Sequence, residues 1–209
     1  MYDALPRAAQ DFLRLSEVEL DWMARVPDEI AGDNIAVFGG CSEVEAFAHS
    51  YKLEREPDGS FRHLTGSAPT VISQAPRLCR DAVREGQFDE ARRHMAMAFS
   101  HYAVDSCTIW HLSRELTSEE HRTGEATTAK NLRLLTHPGP LPMPDPKSLY
   151  RSAIKVCEDT VTQQLDRVKQ AQADGSYAKA QDLMAEQLNR CASWGLAVAL
   201  YTWHFVERA

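Results

Sequence analysis

The run DEARRHMAMAFSHYAVDSCTIWHL, residues 89–112, carries the strongest helical signal in the chain. Met95, Ala96, Ala98, Phe99, Ala103, Val104 and Ile109 leave it apolar around much of its circumference, as expected of a central helix covered by its neighbours. Before it, residues 70–85 read as a helix stopped by Gly86, and residues 6–15 as another. Ser16 and Glu19 form a capping-box pattern opening a helix through Trp22 to about residue 26, and Ser42 and Glu45 repeat the pattern. Pro27, Gly32, Gly39 and Gly40 mark an irregular loop; a second loop, residues 54–66, turns at Pro57-Asp58-Gly59. Beyond the central run, residues 118–135 read as a helix, and five prolines between 137 and 146 as a connector. Long amphipathic helices at 147–173 and 177–208 follow, split by Asp174-Gly175, with no convincing strand alternation anywhere. The expectation is an all-α, single-domain helical bundle over residues 1–209.

Composition narrows the function classes. The 209 residues hold 23 Lys and Arg against 30 Asp and Glu, a net charge of −7 that disfavours a nucleic-acid-binding module working through a basic surface. Hydrophobic residues at 44% and charged residues at 25% are ordinary globular values, which excludes disordered and fibrous classes. No apolar run reaches the roughly 18 residues of a membrane span. Asp3, Arg7, Asp11 and Arg14 interrupt any signal-peptide core, so a cytoplasmic protein is expected. The 5 cysteines are widely spaced with no C-x-x-C, and read as small buried hydrophobes rather than thiolate ligands.

The polar residues of the central run are its informative feature. His101 and Asp105 stand at i and i+4, leaving one helix face about 6 Å apart, a spacing at which both can hold a divalent ion. On a straight helix His111 lies roughly 9 Å further along the axis, too far for the same ion but within reach of a neighbouring one. His121 and Glu125 form a second i, i+4 pair on the next helix. The competing reading makes the first pair a buried hydrogen bond and the second a solvated one, with the odds even. His94 reads as an ordinary partly buried histidine, and His63 as the rival of His49 for an upstream ligand. Trp110 reads as core that could line a pocket; Lys52, Arg92 and Arg93 could help bind phosphate, with a solvated role the favoured reading for each.

The H-Y-x-x-D-x5-H pattern of His101, Tyr102, Asp105 and His111, followed by H-x-x-x-E at His121 and Glu125, resembles the bacterial zinc-dependent phospholipase C family and the related single-strand-specific nucleases. Ala48-His49-Ser50-Tyr51 with the Pro57-Asp58-Gly59 turn is similar to that family's histidine-and-turn segment, and Val26-Pro27-Asp28 to its upstream aspartate segment. The lead 85–89 and Tyr201-Thr202-Trp203 fit in order. Val104 and Ile109 stand where the family commonly has glycine and proline.

This resemblance implies a helical phosphoesterase with a multinuclear zinc site. His49, His101 and Asp105 would hold one zinc, with Asp28 beside it as a ligand or as the base that orients water. His111, His121 and Glu125 would hold the second. The family's third zinc uses an early histidine and the free amino terminus; no histidine precedes His49 here, so two zinc ions, or two with a weakly held third, are expected. The expected function is intracellular hydrolysis of a small soluble or lipid phosphoester, with metal-bound water as nucleophile and Asp28 accepting its proton. The alternatives are a metal-binding scaffold without catalysis and a single-strand nuclease, the latter disfavoured by net charge. Oligomeric state is open.

Overall fold

A computed structural model describes residues 2–13, 50–136 and 139–209. Asp28 and His49, the capping-box segments at 16 and 42 and the loop between them lie outside the described residues, as do Trp22 and Cys41. The described chain is mostly helical, with eight helices and one two-stranded sheet. In chain order these are α1 Arg7–Leu13, β1 Tyr51–Arg55, β2 Phe61–Gly66, α2 Ala68–Arg84, α3 Phe88–Met97, α4 Ala103–Asp105, α5 Ile109–Leu112, α6 Ser118–Ala129, α7 Leu149–Ala173 and α8 Gln181–Val206. None of these helices is long and apolar enough to cross a membrane.

Two expectations need correction. Residues 54–66 are not a loop: β1 and β2 form an antiparallel hairpin, with the expected turn at its tip. There Gly59 takes φ +83°, open to glycine at little cost, and Asp58 accepts from the Ser60 backbone N–H at 2.9 Å. The strand signal is weak because Tyr51 and Leu53 of β1 turn inward while no residue of β2 is buried, Arg62 and His63 being exposed. A register shift between Lys52 and Leu53 bends β1 where it meets α5.

The second correction concerns the central run, which is three helical pieces rather than one. After α3 the chain winds through a π-helical turn at Ala98–Tyr102 into the single turn of α4, and then breaks. Thr108 is extended at φ −95° and ψ 114°, and α5 sets off afresh. Hydroxyls hold the break: Ser106 Oγ donates to Ala103 O at 2.8 Å and Thr108 Oγ1 to Val104 O at 2.9 Å. Side chains that bond nearby carbonyls offer the backbone an alternative to helix continuation. A residue far along the chain supports them, since the Trp194 indole N–H donates to Ser106 Oγ at 3.0 Å.

The break divides the apolar interior. One cluster gathers α1, α2, α3, α4 and most of α8 around Ile72, Phe99, Tyr102 and Trp194. The other joins the hairpin, α5, α7 and the start of α8 around Trp110, Leu165 and Met184. Burying each large side chain of this kind contributes about 1.5–3 kcal/mol. Cys79, Cys107, Cys157 and Cys191 are free and buried, as expected of small apolar residues; burial pushes the Cys79 thiol up to about 12. His101 and Asp105 precede the break, and Trp110 and His111 follow it.

Candidate metal centre

His111, His121 and Glu125 bring one donor atom each to within 4.8 Å of one another. His111 comes from α5; His121 and Glu125 share a face of α6. The Nε2 atom of His111 lies 2.6 Å from Glu125 Oε1, and that of His121 lies 3.1 Å from Glu125 Oε2. The imidazole rings meet nearly edge to face, 4.6 Å between centroids. These residues coincide with the set expected for a second zinc.

Asp105 links this cluster to the central helix. Its Oδ2 lies 3.2 Å from His101 Nε2 and its Oδ1 lies 3.7 Å from His111 Nε2. The straight-helix expectation, which kept His111 about 9 Å away, is overturned because the break turns α5 back. His101, Asp105 and His111 are all buried, at 8%, 8% and 5% exposure, so their polar atoms meet protein rather than bulk water.

The electrostatics follow from that burial. It opposes charge on His111, yet the field of Asp105 and then the Glu125 hydrogen bond outweigh it and raise the His111 pKa. Burial likewise acts to raise the Glu125 pKa, but hydrogen bonds with His111 and His121 hold that carboxyl well below the usual range. A carboxylate is therefore in place, facing two imidazole nitrogens.

The donor set suits a divalent ion. Zinc bound at about 2.0–2.2 Å by imidazole and carboxylate spaces tetrahedral donors roughly 3.3 Å apart. The 3.1 and 2.6 Å separations run to different oxygens of Glu125, and the three donors lie within 4.8 Å of one another, so seating an ion asks for shifts of about 1.5 Å or less toward that spacing. Nitrogen and carboxylate donors without thiolate, three in number, also leave room for water or a substrate oxygen.

Second-layer positions show why the sequence assembles this site. Gly124 packs flat against Trp110: a Cβ there would stand 2.2 Å from the indole ring. That close approach seats α6 on α5 and brings Glu125 opposite His111. The capping box between Thr117 and Glu120 fixes the start of α6 at Ser118, three residues before His121. Lys52 of β1 donates to Trp110 O at 2.7 Å and Ser113 O at 3.4 Å, capping the short α5. Lys52 was expected in solvent; it is half-buried, and desolvation lowers its pKa against the opposing field of Glu125.

A cavity of about 440 Å³ opens beside the cluster, lined by His101, Asp105, His111 and Glu125 together with Trp110 and Leu132 among others. Thr128 and Gln187 add polar groups to its wall and are joined through the Tyr177 hydroxyl at 2.9 and 3.3 Å. Trp110 is fully buried and does line a pocket.

Among the described residues, His63 and His94 stand apart. His63 stacks on Tyr51 at 4.2 Å, with its Nε2 2.9 Å from Gly66 O, and is not brought to the cluster. His94 is buried at 4% exposure, 3.5 Å from Glu90 Oε1. The sequence offers Lys52 as a phosphate contact but favours a solvated role for it; Ser106, Gly124 and Trp194 were not singled out as parts of a site, and no local signal marks them.

Comparison of the chain with protein-family models, curated proteins and solved structures returned no match.

Proposed function

We propose that the chain binds a divalent metal ion, zinc by its donor chemistry, through His111, His121 and Glu125, and hydrolyses phosphoric esters at that centre. The observation that carries this reading is the convergence of three donors from α5 and α6 beside an open cavity. The resemblance to zinc-dependent phospholipases C supplies the reaction class. When bound, the metal would supply an acidified water and a counter-charge for phosphoryl oxygens.

The chain's own residues supply position and shape. Asp105, paired with His101, fixes the approach of His111 from the α4 side. Val104, Leu132 and Leu188 give the cavity apolar walls suited to the alcohol portion of an ester. Asp28 is the proposed acceptor of the nucleophile's proton, and His101 and Asp105 the described part of a proposed second metal set completed by His49.

The test is metal analysis of the purified protein followed by assays on phosphomonoesters, phosphodiesters and single-stranded DNA, with and without chelator. Bound zinc and chelator-sensitive ester hydrolysis support the proposal. Bound zinc with no turnover favours the scaffold reading, cleavage of DNA alone favours a nuclease, and a protein that binds no metal ends the case.

A further inference from the structure

Two spaces meet at the metal centre, and they differ in charge. Among the described residues, the cavity on the Glu125 side has neither lysine nor arginine in its lining. On the His121 side lies a groove of about 440 Å³, lined by Lys52, Thr65, Arg114, Ser118 and His121 above Leu64 and Leu116. Among the described residues, no carboxylate lines that groove. His121 belongs to both the groove and the donor cluster, so anything seated there touches the centre's edge.

The two cations differ in how they are held. The ammonium of Lys52 is anchored by two backbone carbonyls, which leaves one of its three N–H bonds for another acceptor. Arg114 is tied only through its backbone N–H, donated to Leu53 O at 3.4 Å. Its side chain is exposed and makes no ion pair among the described residues, whereas Arg55, Arg62 and Arg122 nearby in sequence or on the hairpin each face a carboxylate. On a chain of net charge −7, a groove whose described lining holds two cations and no carboxylate above an apolar floor is a local reversal of sign. Such a concave reversal focuses the field on an approaching anion.

We propose that the Lys52–Arg114 groove is an anion-binding subsite, and that the substrate carries a second anionic group beyond the ester held at the metal centre. The word substrate rests on the hydrolase reading; the subsite itself does not. The phosphoester lies at His121 between its two halves, the anionic end over Lys52 and Arg114 and the uncharged end in the apolar cavity. A guanidinium accepts either a tetrahedral oxyanion or a carboxylate through paired N–H groups.

The test is calorimetric titration of the full-length, metal-loaded protein with ethane-1,2-disulfonate and with succinate, anions chosen because they ligate zinc weakly. Binding that falls about fivefold in Arg114→Gln and is largely kept in Arg114→Lys supports the subsite. The tighter of the two anions tells a phosphoryl-like from a carboxylate group. No binding of either anion, or equal binding by wild type and Arg114→Gln, overturns it. Hydrolysis is assayed separately on the same preparations. Arg114-dependent binding without hydrolysis upholds the subsite and defeats the hydrolase reading; hydrolysis without Arg114-dependent binding does the reverse.

Discussion

His111 Nε2 and Glu125 Oε1 lie 2.6 Å apart, joining a four-residue helix to the middle of the next across 14 positions of sequence. A half-buried carboxylate facing a buried imidazole needs its partner, and here it has two: His111 and His121. Ligand cost and ligand geometry are thus linked, because the contact that makes Glu125 tolerable in the interior also aims it at the metal position.

Glu125→Gln removes the anionic donor and keeps the volume. Metal affinity should fall on the order of 100-fold, read by competition with a chromophoric chelator, with little change in helical circular dichroism. Unchanged affinity would show that the ion, if bound, sits elsewhere.

Gly124→Ala sets two effects against each other. Helix propensity alone favours alanine by about 1 kcal/mol. The new Cβ would meet the Trp110 ring at 2.2–2.4 Å, and such overpacking costs about 1–3 kcal/mol. Because the indole is wedged in the core, the clash should win: a lower midpoint in urea and weaker metal binding through the displaced Glu125. A stabilised variant would contradict the packing of α6 on α5.

Ser106→Ala strips the acceptor from the buried Trp194 indole, at a cost of about 1–3 kcal/mol. It also loosens the break that turns α5, so metal affinity should drop with stability. Replacing both partners, Ser106→Ala with Trp194→Phe, removes the unsatisfied donor and creates a packing loss instead. Chemical denaturation of wild type, the two single variants and the double variant measures the coupling; a coupling near zero would mean the hydrogen bond does not hold the break.

His94 provides a pH signature away from the metal ligands. Burial lowers its pKa in the folded state, Arg93 adds to that and Glu90 opposes it. Between the folded value and the unfolded value near 6.5 the unfolded chain binds the extra proton, so stability is full above about pH 6.5 and falls as pH drops through the folded value. His94→Gln should flatten that slope relative to wild type, in denaturant melts taken from pH 7.5 to 5. An identical slope would place the acid sensitivity on other groups.

Much of the helical framework was legible. The periodic apolar positions of residues 70–85, 147–173 and 177–208 anticipated α2, α7 and α8 to within a few residues, because long amphipathic faces are local patterns. The hairpin was not, since only Tyr51 and Leu53 bury themselves and two short strands give too few alternations. The break at Ser106, Cys107 and Thr108 left no mark either: it contains no proline or glycine, and its strongest support, Trp194, is 88 residues distant. His111 was consequently expected too far from Asp105, although its pairing with His121 and Glu125 was expected from the resemblance. Asp28 and His49 lie outside the described residues.

The amino-acid order by itself determined which donors exist and which of them share a helix face: His101 with Asp105, and His121 with Glu125. Those are consequences of a 3.6-residue repeat set by backbone hydrogen bonds within single turns. Tertiary structure alone decided that the two faces meet. It did so by breaking the central run beneath Trp194 and by seating α6 on Trp110 through Gly124, contacts whose energies belong to pairs far apart in the chain. Periodicity fixes where a side chain leaves its own helix; only long-range packing fixes what it faces.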